Sequence, residues 1–131
     1  MIVLDASVMI AVLDPHDVHF TRARELFRAN STQRVVAHRL TMAESLVVAA
    51  RANLTVAVAL ALATLGVGRL DEPDDPVELA ELRAHTGLRM PDACVLLAAR
   101  RDGASLATFD RRLAHTAQGE GIPVLGFDQL G

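Results

Sequence analysis

Met1-Ile2-Val3-Leu4-Asp5-Ala6-Ser7-Val8 opens the chain. Ile2, Val3 and Leu4 are apolar without alternation, the pattern of a strand buried on both faces of a parallel sheet. Asp5 follows directly, and a helical pattern begins at Ser7 and runs to Leu13. The same arrangement returns near the other end. Ser105–Phe109 reads as a strand, Asp110 ends it, and Arg111–Ala117 reads as a helix. Between the two, Asp14-Pro15 breaks the first helix and Val18–Ala29 forms a second, with Ala23, Leu26 and Phe27 at helical spacing. Arg34–Ala37 is a second strand. Thr41–Ala50 and Thr55–Leu65 are helical, the latter stopping at Gly66. Val67–Leu70 is a short strand or extended segment, and Asp71–Asp75 an acidic loop. Asp75-Pro76-Val77-Glu78 supplies an N-cap, a proline at the first helical position and a capping-box glutamate, opening a helix that ends near Gly87. Pro91–Arg100 is helical and Ile122–Leu125 is a last strand. Strands alternating with helices predict an α/β fold: a mostly parallel sheet covered by helices on both faces.

The chain has 131 residues, which suits one domain over 1–131. At 51% hydrophobic and 22% charged it has the composition of a folded globular protein. Its single cysteine, Cys94, excludes an internal disulfide and suits a reducing cytosol. No basic leader precedes the first apolar run. The apolar stretch Leu54–Val67 is too short to cross a bilayer and is flanked by Arg51 and Arg69, so it reads as a buried or interface helix in a cytoplasmic protein with no membrane role. The net charge of −3 is unusual for a nucleic-acid binder. Arginines nonetheless gather at Arg22, Arg24, Arg28, Arg34 and Arg39, and again at Arg111 and Arg112. There is no lysine.

Ligands of open α/β sheets bind beyond the carboxyl ends of the strands, where Asp5 and Asp110 stand. Two further acids fall in the predicted first turns of helices, Glu44 after Thr41-Met42-Ala43 and Asp92 after Met90-Pro91. Converging, the four would form an all-oxygen pocket of the kind Mg²⁺ or Mn²⁺ takes. Two carboxylates about 4 Å apart repel by roughly 4 kcal/mol at an effective dielectric of about 20, so such a cluster calls for a countercharge or a proton. Each acid also has a plain structural role: Thr41–Glu44 is a capping box, Asp92 a first-turn residue, and Asp110 an N-cap. Ser7 and Thr108 read equally as turn hydroxyls. The joint placement, rather than any single residue, carries the chemistry.

The opening Met1–Val8 resembles that of VapC-type toxins of the PIN-domain ribonuclease family, which begin with a hydrophobic strand and Asp-x-Ser/Thr. Leu40-Thr41-Met42-Ala43-Glu44, with Leu46 and Val47, is similar to their second acidic motif. Gly87-Leu88-Arg89-Met90-Pro91-Asp92-Ala93, with Ala98, resembles the third, and Gly103-Ala104-Ser105-Leu106-Ala107-Thr108-Phe109-Asp110 the fourth. The ordered set covers almost the whole chain. The resemblance implies a PIN-like three-layer fold in which Asp5, Glu44, Asp92 and Asp110 hold one or two Mg²⁺ or Mn²⁺ ions. Ser7 and Thr108 would support them by hydrogen bonding. It further implies an endoribonuclease that hydrolyses RNA by metal-activated water, acts as the toxin of a type II toxin–antitoxin system and inhibits translation and growth. A homodimer and a cognate VapB-type antitoxin are implied partners, the early alanine- and valine-rich helices offering the antitoxin a groove.

Other classes fit less well. A receiver domain also puts acids at strand ends but uses a lysine, which is lacking here. A haloacid-dehalogenase-like phosphatase wants a second aspartate where Ser7 stands. A PIN-like module that binds without cutting, and a housekeeping RNA-processing nuclease, share the fold. His16 and His19 lack partners for a zinc site and suit an exposed or RNA-facing position. Cys94 reads as a small buried apolar residue, Asp71-Glu72 and Asp74-Asp75 as solvated loop with Asp75 capping a helix. Arg111-Arg112 would either contact phosphate or lie exposed on a helix.

Overall fold

Period-2 side-chain geometry explains how the first strand organises the molecule. In the computed structural model, which describes residues 1–71 and 73–127, β1 is Ile2–Leu4 and all three of its residues are fully buried. Ile2 and Leu4 point to one face of the sheet and Val3 to the other, and each face has its own core. Around β1 lie β2 (Val35–His38), β3 (Val67–Leu70), β4 (Ser105–Ala107) and β5 (Val124–Leu125), in the order β3-β2-β1-β4-β5. Every pairing is parallel, with Leu4 opposite both Ala37 and Ala107.

The helices complete three layers. On the face of Ile2 and Leu4 lie α1 (Ala6–Leu13), α2 (Phe20–Ala29), α3 (Arg39–Arg51) and α4 (Thr55–Thr64). On the face of Val3 lie α5 (Pro76–Thr86), α6 (Met90–Arg101) and α7 (Arg111–Gly119). Ala93–Ala99 of α6 are all buried, as an all-round apolar helix pressed on the sheet should be. Asp75 caps α5 as its sequence predicts, its Oδ1 accepting from Val77 N–H at 2.9 Å, and Gly87 ends that helix at φ +73°.

Three expectations need correction. First, α3 begins two residues before Thr41 and His38 is its N-cap, so the Thr41–Glu44 capping box does not form. Thr41 Oγ1 is buried inside the helix with no hydrogen-bond partner among the described residues, and Glu44 lies beyond the first turn. Second, the stretch over α4 is not buried. Only Leu62 of that helix is, while Val56 and Leu60 stand 73% and 62% exposed, which leaves the interface reading. Third, Asp74 is not a solvated loop residue but packs inward against His38. Glu72, of the same predicted loop, lies outside the described residues. None of the helices described is long and apolar enough to cross a membrane.

Candidate active site

The strand order makes a crevice. From β1 the chain moves to β2 and β3 on one side and to β4 and β5 on the other, so the order reverses between β1 and β4. Asp5 leaves the carboxyl end of β1 and Asp110 follows β4, one on each side of that reversal. Asp5 N–H donates to Ala107 O at 2.9 Å, which ties the two strand ends together.

Two hydroxyls then fix the Asp5 carboxylate, itself buried. Ser7 Oγ donates to Asp5 Oδ2 at 2.8 Å and Thr108 Oγ1 donates to the same oxygen at 2.8 Å. Each hydroxyl also accepts a backbone amide from beyond β4. Phe109 N–H donates to Ser7 Oγ at 2.9 Å, and Asp110 N–H to Thr108 Oγ1 at 2.9 Å. Both protons are spent on Asp5, so the 3.4 Å separation of the two hydroxyls is a contact rather than a bond. Thr108, fully buried, thus links Asp5 to Asp110 across the crevice. Asp110 keeps its structural role as well, its Oδ1 accepting from Leu113 N–H at 3.1 Å to cap α7.

Asp92 lies in the first turn of α6 and Glu44 on the exposed side of α3. Asp5, Asp110 and Glu44 are near enough to act on Asp92. Burial pushes the Asp92 carboxyl above its usual range, and the charges of Asp5 and Asp110 push it further. Arg89 pulls the other way, and Glu44 adds to the rise. Asp92 is therefore partly buried in the negative field of three other acids, which Arg89 offsets only in part. All four side chains offer oxygen, the donor that hard divalent cations take.

The sequence did not reveal two neighbouring features. His19 stacks on the Phe109 ring at 4.8 Å between centroids, and the Arg22 guanidinium lies over that ring at 4.9 Å and over Phe127 at 5.5 Å. His19 is thus a packing residue beside Asp110, whereas His16 is exposed. The other feature is His38, Asp74 and Cys94, whose ligand-type atoms lie within 4.8 Å of one another. Cys94 is buried as expected, and burial, then the Asp74 charge, pushes its thiol up to about 11. Arg111 and Arg112 are exposed, and Arg112 Nη2 donates to Gly87 O at 3.3 Å, which holds α7 to the turn before α6.

A five-stranded parallel sheet between two layers of helices, with Asp5 and Asp110 on either side of its switch point, places the chain among three-layer α/β proteins. The chain belongs to the PIN domain family, whose model matches residues 2–119. No curated protein matches it by sequence. Among solved structures it is similar to FitAcB from Neisseria gonorrhoeae, with a TM-score of 0.71 and 19% identity over 95% of this chain and 96% of that one. VapC20 of Mycobacterium tuberculosis, described as a sarcin-ricin loop cleaving toxin, gives a TM-score of 0.66 at 16% identity over 88% and 94%. PAE2754 from Pyrobaculum aerophilum gives 0.63 at 21% over 94% and 89%. At these identities the likeness is one of fold.

Proposed function

We propose that this chain is a Mg²⁺- or Mn²⁺-dependent endoribonuclease that acts as the toxin of a type II toxin–antitoxin pair. Support comes from the placement of Asp5 and Asp110 on either side of the β1/β4 reversal, with Asp5 pinned by two hydroxyls and Asp92 raised in pKa by burial and then by Asp5, Asp110 and Glu44. Those four acids would hold the ion or ions. Both bonds to Asp5 fall on Oδ2, which leaves Oδ1 for the cation. A divalent ion so held neutralises phosphodiester charge and lowers the pKa of water. Ser7 and Thr108 keep the Asp5 carboxylate in one orientation, and Thr108 keeps Asp110 in register with it. No side chain need attack the substrate. RNA as substrate accords with the resemblance to VapC-type toxins, one of which, VapC20, is described as a sarcin-ricin loop cleaving toxin. Exposed Arg22 and Arg24 on α2, on the same face as Phe109, supply positive charge for a backbone.

The partners proposed are a second copy of the chain and a VapB-type antitoxin. Exposed apolar side chains on α3 and α4, among them Val47, Val48, Val56 and Leu60, are surface that a partner would cover.

The test is cleavage of a mixed RNA pool by antitoxin-free protein with Mn²⁺ or with EDTA, beside growth on expression. Cleavage that needs the metal is expected, with growth arrest. Folded protein that neither cuts nor arrests growth would overturn the proposal. Within it, Thr108→Val keeps the side-chain shape but strips a donor from Asp5 and an acceptor from Asp110 N–H. It should lower kcat/KM by about 10- to 100-fold, as loss of a ligand-orienting partner does, and cost about 1–3 kcal/mol in urea denaturation.

A further inference from the structure

His38 and Asp74 take no part in the proposed chemistry, yet His38 is buried and Asp74 nearly so, 1% and 11% exposed, and they are bonded at 2.8 Å. His38 ends β2 and caps α3, its Nδ1 accepting from Leu40 N–H at 3.1 Å. A ring nitrogen that accepts carries no proton, so the proton sits on Nε2 and is donated to Asp74 Oδ2. This tautomer also decides between two readings of the His38, Asp74 and Cys94 cluster. A cation would need the Nε2 lone pair and would drive the proton onto Nδ1, against the Leu40 amide. The geometry is that of a hydrogen-bonded tie rather than a ligand set. Asp74 Oδ1 is buried without a hydrogen bond, so this carboxylate is held by its bond to His38 and by the Cys94 thiol beside it.

The tie joins the elements that carry two of the acids. His38 lies opposite Leu70 in the β2–β3 register, and Asp74 folds back on it from the loop before α5. Arg39 begins α3, which bears Glu44. Cys94 lies against the pair from α6, which bears Asp92 and packs on both β2 and α3. We propose that His38 and Asp74 are positioning residues that fix the start of α3 against the β3–α5 loop and α6, and so set the approach of Glu44 to Asp92. This rests on the four acids being metal ligands.

Mn²⁺ affinity of the full chain, measured by calorimetric titration beside the metal-free melting temperature, tests it. His38→Asn keeps an N-cap acceptor for Leu40 but cannot reach Asp74. Asp74→Ala removes the tie from the other side, and Asp74→Asn keeps an oxygen for His38 Nε2–H. Asp74→Asn should bind Mn²⁺ as wild type does, and the other two about tenfold more weakly or worse. Lower melting temperatures with unchanged Mn²⁺ affinity would make the pair merely structural and overturn the proposal, as would a loss in Asp74→Asn equal to that in Asp74→Ala. Wild type without Mn²⁺ affinity would overturn the four-acid reading itself; wild type and variants binding alike would overturn the pair alone. Should variants fail to fold, the ring ¹⁵N shifts of His38 in wild type decide: a proton on Nε2 is expected, and one on Nδ1 overturns the tie. Co²⁺ giving a thiolate absorption band that Cys94→Ser abolishes would likewise overturn it, in favour of a metal site.

Discussion

Asp5→Asn should lower metal-dependent RNA cleavage by at least about a hundredfold, because loss of a ligand exceeds the 10- to 100-fold cost of losing a ligand's outer partner. The fold should survive. Asparagine keeps one side-chain oxygen, and that oxygen can accept from both Ser7 Oγ and Thr108 Oγ1, since the two bonds converge on a single atom of Asp5. The amide nitrogen then occupies the position of Oδ1. It presents hydrogens where a cation needs a lone pair, and one negative charge is gone from the cluster. Circular dichroism should match wild type, and metal-free stability should be equal or higher because one source of repulsion on Asp92 is removed. kcat/KM on any RNA that wild type cuts is the measurement. A variant as active as wild type would take Asp5 out of the chemistry.

The placement of Asp5 and Asp110 beyond the ends of β1 and β4 was legible because each follows a strand-like run, and because parallel strands in an α/β sheet present their carboxyl ends on one side. That logic needs no distances. Thr108 and Ser7 were legible only as members of motifs. That their hydroxyls both donate to one oxygen depends on Ser7 standing in the first turn of α1 just where Thr108 leaves β4, a juxtaposition 101 residues apart in sequence. Glu44 was placed correctly in a helix but wrongly in its first turn. Thr41-x-x-Glu44 has the letters of a capping box, while His38, three residues earlier, took the cap with a ring nitrogen, a use that Ser/Thr/Asp/Asn preferences do not anticipate. Asp74 was misread for a related reason. A loop of consecutive acids suggests solvent, and only the β2–β3 register, set by pairing between distant segments, brings His38 beneath it. The exposure of α4 could not be read from its own sequence, since an all-apolar helix looks alike against a core and against a partner.

Metal should stabilise the folded chain and should do so less at low pH. Without a cation, the Asp92 carboxyl titrates above its ordinary value of 3.8, from burial first and then from its acidic neighbours. The folded state therefore holds this proton more tightly than the unfolded state does. As pH falls through the raised value toward 3.8, this group contributes growing stability to the metal-free protein, and as pH rises through it that contribution is lost. A divalent cation relieves the same repulsion at neutral pH and competes with the same proton. At about a hundredfold its Kd, Mn²⁺ bound only to the folded state adds about 2.7 kcal/mol, a rise in Tm of roughly 10 °C for a domain of this size. That rise should shrink as pH drops into the range where Asp92 is protonated. Asp92→Asn should flatten this part of the metal-free pH profile and reduce the Mn²⁺ response, because it fixes the site in a neutral state close to the protonated one. Melting curves of both proteins across pH, with and without millimolar Mn²⁺, make the comparison. A wild-type Tm unmoved by the metal at neutral pH would mean that the carboxylates acting on Asp92 serve some purpose other than holding a cation.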